Sequence, residues 1–204
     1  MFVQSFIISS VLFQIVIASH LGVDLSVLTD TETFKCLRND YNISYAIIRA
    51  YRSIGSIDEN APMSLQAAYE SNINHLSAYI FPCIQEAPYS IEHNITCKSA
   101  DEQVRDILDM FTANNIRFRS ALTPNTLQQS NTIELSRLWI DIEDETPSKY
   151  YSNEPTINQK FISELRTKLI NSNIPIGIYS TKSYWENIMG NIEGYGAYPL
   201  WYPR

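Results

Sequence analysis

The sequence is short of positive charge, histidine and nucleotide-binding motifs, and each shortage excludes a class of function. Its 204 residues include 15 Lys and Arg against 22 Asp and Glu, for a formal net charge of −7. A nucleic-acid-binding protein needs a basic face, so nucleic acid is not a predicted partner. Neither GxGxxG nor a P-loop motif follows any predicted strand, which disfavours a nucleotide-binding sheet. The histidines, His20, His75 and His93, lack the spacing of metal ligands, so no metal or other cofactor is predicted.

Long apolar runs are also missing, apart from one at the N-terminus. Residues Phe2 to Ala18 carry no charged side chain, but a membrane-spanning helix needs about 20 apolar residues. Val16 and Ala18 fit the small-residue rule for signal cleavage, so residues 1–18 are predicted to be a signal peptide. The predicted mature domain covers 19–204. It would be secreted or enter a lysosomal or vesicular lumen, with no membrane contact after the signal is removed.

Glycosylation motifs and cysteines agree with that location. Asn42 and Asn94 each begin an Asn-x-Ser/Thr sequon and are candidate glycosylation sites. The chain has only 3 cysteines, an odd number for an oxidising compartment. Cys83 and Cys97 bracket a short polar segment and are the preferred disulfide pair. Cys36 falls in a predicted helix, where it is expected to be buried.

Strands alternate with helices along the chain, and the strand sequences are apolar on both faces. This pattern is typical of parallel strands buried under helices, in an open doubly wound sheet or in a barrel. Six strands are predicted, at 21–26, 43–51, 78–82, 138–143, 174–180 and 198–202. Five helices are predicted, at 31–39, 64–74, 101–114, 158–171 and 182–189.

The most informative segment is LWIDIEDE, residues 138–145. On a strand, Asp141 and Glu143 point the same way and Ile142 points the other way. Two adjacent carboxylates at the end of a buried strand are costly, and such pairs usually perform chemistry or hold a cation. Asp144 and Glu145 are predicted to be loop acids without a catalytic role.

Other polar residues fall near the C-terminal ends of predicted strands, where a barrel places its active site. They are Asp24 on the first strand, Arg49 and Tyr51 on the second, and Tyr179 on the fifth. Their convergence favours a barrel over an open sheet.

Six segments together resemble glycoside hydrolase family 25, the lysozymes or N-acetylmuramidases. They are GVDLS, AIIRAY, AYIFP, LWIDIED, IGIYSTKSYW and YPLWYP, in the family's order and spacing from about Gly22 to Tyr202. The chain is most similar to the nematode and protist branch. The resemblance implies a modified TIM-like (β/α) barrel. It also implies a retaining hydrolase that cleaves the β-1,4 bond between N-acetylmuramic acid and N-acetylglucosamine in bacterial peptidoglycan. Such an enzyme, a monomer without a cofactor, would serve antibacterial defence or digestion.

The resemblance also implies roles for individual residues. Glu143 matches the general acid, Asp141 its acidic partner, and Asp24 a further active-site carboxylate. Arg49 is expected to be a substrate-binding residue at the barrel mouth, paired with these acids, although a structural ion pair is the alternative. Three aromatic residues match the substrate groove, where they would stack on sugars, or else only pack the barrel: Tyr79, Tyr179 and Trp201.

One departure from the family leaves alternatives open. Family domains continue through two more strands, whereas this sequence stops at Arg204, so the expected fold is a barrel lacking its last two strands. A shortened groove suggests the alternative of an inactive lysozyme-like protein that binds glycan. A second alternative is a metal-dependent phosphodiesterase barrel in which Asp141 and Glu143 hold a divalent cation.

Overall fold

The computed structural model describes residues 21–73, 75–119, 132–144 and 148–203. The strands are β1 Leu21–Leu25, β2 Ile43–Arg52, β3 Ser56–Ile57, β4 His75–Ile80, β5 Ile116–Phe118, β6 Ile133–Leu135, β7 Leu138–Asp141, β8 Ile176–Tyr179 and β9 Leu200–Trp201. The helices are α1 Thr31–Tyr41, α2 Ala61–Glu70, α3 Pro88–Glu92, α4 Ala100–Ala113, α5 Pro155–Asn171 and α6 Lys182–Met189. The predicted signal peptide lies outside the described residues. No helix in the described part is long and apolar enough to cross a membrane.

The main sheet is a curled half-barrel of parallel strands. Its order is β1-β2-β4-β7-β8-β9, and the short β3 pairs antiparallel with β2. Residues of the two outer strands, Asp24 on β1 and Trp201 on β9, line one cavity, so the sheet edges curve toward each other. The six parallel strands correspond to the six predicted ones, and β5 and β6 form a separate parallel pair.

The core lies between the convex face of the sheet and the helices. Along β2, Ala46, Ile48 and Ala50 are buried among the helices, while the alternate residues face the concave side. Strand β7 is buried along its whole length, as expected for a central parallel strand. The concave face is therefore the part of the sheet that is free to form a site.

The six helices of the described residues share a feature at their C-terminal ends. A non-glycine residue with positive φ follows each helix within two positions, and in all six cases it is asparagine followed by isoleucine: Asn42, Asn72, Asn94, Asn115, Asn173 and Asn191. Asparagine tolerates the left-handed conformation that ends a helix, and an apolar residue next to it packs back onto the helix. At these positions the pair marks where the chain leaves the helix, whereas a seventh pair, Asn187-Ile188, lies inside α6.

Three local predictions need correction, whereas the preferred disulfide pair is the one that the structure contains. The helix predicted over 64–74 begins at Ala61, because Pro62 suits a first helical turn. The segment 83–100, which lies outside the predicted strands and helices, contains α3. Cys83 and Cys97 form a disulfide with Cα atoms 5.4 Å apart, and it closes the segment that holds α3. The expected burial of Cys36 is wrong: the thiol is exposed on α1 and donates to Asp40.

Candidate active site

Three acidic side chains meet on the concave face of the sheet. Asp24 lies on β1, Asp141 is the last residue of β7, and Glu143 follows two positions later. Ile142 between them is fully buried in the core, so the two acids that flank it face the concave side. The charges of Asp24 and Glu143 both raise the pKa of Asp141, and Asp24 also raises that of Glu143. The three acids therefore form one electrostatic site.

Asp141 is the most deeply buried of the three, with 5% of its surface exposed. Its Oδ1 atom has no hydrogen-bond partner among the described residues. Burial raises its pKa well above the usual value, the charges of Glu143 and Asp24 raise it further, and Arg49 opposes them. Because the folded-state pKa exceeds the unfolded one, the native state binds more protons between the two values. The contribution of Asp141 to stability therefore falls as the pH rises through that range.

Glu143 is half-buried and reaches the mouth of the site. Burial raises its pKa, the nearby Tyr179 hydroxyl lowers it, and the charges of Asp24 and Asp144 raise it. Asp24 is more exposed, and partial burial raises its pKa as well. Glu143 thus combines a raised pKa with partial access to solvent, which suits a proton donor.

Arg49 lies beside the acids but pairs with a different residue. Its Nε donates to Asp58 Oδ2 at 2.8 Å, and its Nη2 donates to the Ser26 carbonyl at 2.8 Å. The predicted pairing with the acids is therefore wrong, and the alternative of a structural ion pair describes the contact. Sequence reasoning missed Asp58 because it lies in a segment predicted to be a loop. Arg49 still acts on the site at a distance, since its charge lowers the pKa of Asp141.

Aromatic side chains border the acids on two sides. Tyr79 on β4 is half-buried, and its pKa is raised by burial and by the charge of Asp141. Tyr179 and Trp201 contact each other edge to face at 4.5 Å, and Trp201 contacts Trp139 at 5.8 Å. Trp139 was not predicted as a site residue, although it shares the strand parity of Asp141 and Glu143, a signal that could have identified it.

The lack of a side chain on Gly177 makes room for the ring of Trp139. A Cβ atom on Gly177 of β8 would lie 2.4 Å from the indole Cε3 and Cζ3 atoms. Glycine at this position therefore lets the large ring lie across the neighbouring strand.

Two cavities lie near the C-terminal part of the sheet. One of about 320 Å³ adjoins Asp24 and is walled by Ile47, Trp139 and Trp201. A larger one of about 620 Å³ lies between α6 and the chain around Tyr195, and it contains none of the three acids. Of the three acids, only Asp24 lines the smaller cavity.

The segment after the acids is held by Asp144, for which sequence reasoning predicted no role beyond that of a loop acid. Its buried carboxylate accepts from Ser148 Oγ at 2.6 Å and from the backbone N–H groups of Lys149, Tyr150 and Tyr151. The buried hydroxyl of Tyr151 in turn donates to the main-chain carbonyl of Asp141. Asp144 thus anchors a turn that clamps the end of β7. Glu145 lies outside the described residues.

The remaining predicted sites are peripheral to the acids. Asn42 and Asn94 are both exposed, so a glycan at either would project into solvent. Within the described ranges no group of three or more His, Cys, Asp or Glu residues could hold a metal ion. The phosphodiesterase alternative therefore has no ligand cluster in this part of the chain.

Comparisons with known proteins agree with this geometry. A family model described as "Lysozyme-like protein 1" matches residues 16–124 and 121–204. The chain is 31% identical to "Probable GH family 25 lysozyme 5" of Dictyostelium discoideum, covering 90% of this chain and 71% of the relative. It is 29% identical to "Lysozyme-like protein 5" of Caenorhabditis elegans, covering 98% and 80%.

A solved structure shows a similar fold. The muramidase from Trichobolus zukalii matches with a TM-score of 0.56 at 17% identity, covering 90% of this chain and 76% of that chain. At this identity the likeness concerns the fold, a mixed α/β arrangement around a curled parallel sheet.

Proposed function

Because the chain belongs to the glycoside hydrolase family 25 lysozymes, we propose that it cleaves the β-1,4 bond between N-acetylmuramic acid and N-acetylglucosamine in bacterial peptidoglycan. Its relatives support a peptidoglycan-hydrolysing lysozyme function in general. The observation that carries the proposal for this chain is the cluster of Asp24, Asp141 and Glu143 on the concave face.

The chemistry of glycoside hydrolysis requires what this cluster offers. The glycosidic oxygen is a poor leaving group and must receive a proton as the bond breaks. Glu143 is the proposed donor, since burial and nearby negative charge keep its carboxyl protonated to higher pH than usual while it still reaches solvent. Negative charge on Asp24 stabilises the positive charge that develops on the sugar.

Asp141 is proposed to assist the attacking group in a reaction that retains the configuration of the anomeric carbon. Its buried carboxyl has a strongly raised pKa, and a carboxyl that tends to stay protonated is a weak nucleophile. This supports attack by the acetamido group of the substrate, with Asp141 orienting that group through its unpartnered Oδ1 atom.

We also propose that the protein acts outside the cytosol, as a secreted or vesicular monomer in defence or digestion. The predicted signal peptide and the Cys83–Cys97 disulfide support this, because disulfides persist in oxidising compartments.

The test is clearing of a turbid suspension of purified bacterial peptidoglycan, with the new reducing ends identified chemically. The variant Glu143→Gln removes the transferable proton and should lower the rate by about 10²- to 10⁴-fold. Glu164→Gln makes the same change at an exposed position on α5 and should keep the wild-type rate.

Each other outcome contradicts a different part of the proposal. Equal clearing by wild type and Glu143→Gln would remove Glu143 from the role of general acid. A folded wild-type protein that sediments with peptidoglycan but releases no reducing ends would favour the glycan-binding alternative.

A further inference from the structure

Asp24 stands on the least buried of the strands that carry the three acids. Strand β1 is an outer strand that pairs with β2, and all of its residues are exposed or half-buried. Asp141, by contrast, ends β7, whose residues are all buried. The strand of Asp24 therefore fixes its position less firmly, although Asp24 is the acid that lines the cavity of about 320 Å³.

The chain leaves β1 through an exposed segment, residues 26–28. A hydrogen bond to α2 fixes the far end of this segment. Its near end, two residues after Asp24, is fixed by Arg49 on β2, whose Nη2 donates to the Ser26 carbonyl at 2.8 Å. The contact with Arg49 is therefore the one that bears on the position of Asp24.

The guanidinium of Arg49 is itself held on its other side. Its Nε donates to Asp58 Oδ2 at 2.8 Å, and the Asp58 side chain is only 7% exposed. The backbone of Asp58 is fixed at both its polar groups: its N–H donates to the Ala50 carbonyl at 2.9 Å, and its carbonyl accepts from the Ala61 N–H at 2.9 Å. A buried carboxylate on an anchored backbone gives the guanidinium a defined orientation.

We propose that Arg49 is a positioning residue for Asp24: braced by Asp58, it clamps the exit of β1 at Ser26 and so holds the Asp24 carboxylate in the cluster of three acids. This inference rests on the proposed function, in which Asp24 stabilises the positive charge on the sugar. It differs from the substrate contact expected from the sequence, because Arg49 acts through the backbone of β1 and not on the sugar.

Arginine suits this role because one guanidinium presents several N–H donors in a fixed plane. Two of these donors reach acceptors on different segments, the Ser26 carbonyl and Asp58 Oδ2. Lysine carries its charge on a single nitrogen, so Arg49→Lys keeps the positive charge that lowers the pKa of Asp141 but loses the two-sided bridge. The substitution therefore separates the clamp from the charge.

Initial rates on solubilised glycan strands are compared for wild type and Arg49→Lys, at a temperature where circular dichroism shows both to be folded. The clamp predicts a kcat lower by roughly 10- to 100-fold, because a small displacement of a catalytic group is costly, with KM changed less than about twofold. An unchanged kcat refutes the positioning role, whether KM rises, as for a sugar contact, or stays the same, as for a purely structural ion pair.

The matched control is Arg117→Lys. Arg117 also donates through Nε and Nη2 to a carboxylate, that of Glu134, but on the separate pair of strands β5 and β6. This variant should keep the wild-type kcat.

Asp58→Asn tests the same clamp from the other side, and it decides the matter if Arg49→Lys does not fold. It keeps an acceptor oxygen for Arg49 but removes the charge that orients the guanidinium. It should lower kcat with KM nearly unchanged, by less than Arg49→Lys does. A wild-type kcat in Asp58→Asn would refute the brace.

Amide hydrogen exchange measured without substrate separates failure of this inference from failure of the proposed function. In Arg49→Lys, peptides covering residues 21–29 should exchange on the order of 2- to 10-fold faster than in wild type, the range expected for one lost hydrogen bond. Peptides of α5 should not change. Unchanged exchange over 21–29 refutes the clamp even if the enzyme is active, and faster exchange supports the clamp even if the wild type hydrolyses nothing.

Discussion

Replacing Asp144 by asparagine should strongly destabilise the protein, because it removes the acceptor that organises the turn after the catalytic segment. The carboxylate accepts from the Ser148 hydroxyl at 2.6 Å and from three consecutive backbone N–H groups, of which that of Tyr151 lies at 2.8 Å. Asparagine keeps one acceptor oxygen and turns an NH₂ group toward the remaining donors. About half of the contacts are therefore lost, and buried N–H groups remain unsatisfied.

The magnitude follows from the kind of bond involved. A hydrogen bond to a charged group contributes about 1.5–3 kcal/mol, but bonds to one carboxylate are not additive. The expected loss is about 3 kcal/mol in the free energy of unfolding. With an m-value of about 2 kcal/mol per molar urea, the unfolding midpoint should fall by about 1.5 M.

Urea unfolding followed by tryptophan fluorescence measures this change. Asp109→Asn, a matched change at an exposed position on α4, should stay within about 0.5 kcal/mol of wild type. Activity should also fall in Asp144→Asn, because the turn holds Tyr151 and Tyr151 binds the Asp141 carbonyl. A loss of stability no larger than that of Asp109→Asn would refute the anchoring role of Asp144.

Two further substitutions test the site: the first is expected to destabilise the protein and the second to stabilise it. Gly177→Ala would place a Cβ 2.4 Å from the Trp139 ring, so it should cost about 1–3 kcal/mol in urea unfolding and slow hydrolysis. Gly196→Ala, where a Cβ would meet nothing within 4 Å, is its control; equal effects would contradict the close-packing argument. Asp141→Asn should abolish hydrolysis yet stabilise the protein by about 0.5–2 kcal/mol at neutral pH, with little gain at pH 3. A destabilised Asp141→Asn would show that the ionised carboxylate is satisfied in the native state.

The sequence could predict the parallel sheet because its signals are local and strong. Apolar strands alternate with amphipathic helices, and α6 spans the predicted residues, Lys182–Met189. The shared face of Asp141 and Glu143 follows from strand parity alone. The helix ends could have been located more closely, since six of the seven Asn-Ile pairs in the sequence mark one.

The contacts that define the site could not be predicted in this way. Arg49 pairs with Asp58 across a turn, and the Tyr151 hydroxyl reaches back to the Asp141 backbone. Such partners depend on how loops fold over the sheet, and the hydrophobic periodicity of the sequence does not indicate this.

The Asn-Ile pairs at the helix ends have a consequence for the chemical ageing of the protein. Asparagine deamidates when the backbone nitrogen of the next residue attacks the side-chain amide carbon. Here that nitrogen belongs to a β-branched isoleucine, and at Ile73, Ile95 and Ile174 its N–H is already bonded to a helix carbonyl at 3.1, 2.9 and 3.0 Å. The turns that could have been sites of spontaneous damage are thus protected by the geometry that ends the helices. At these three positions deamidation should therefore be slower than at an asparagine in an open turn.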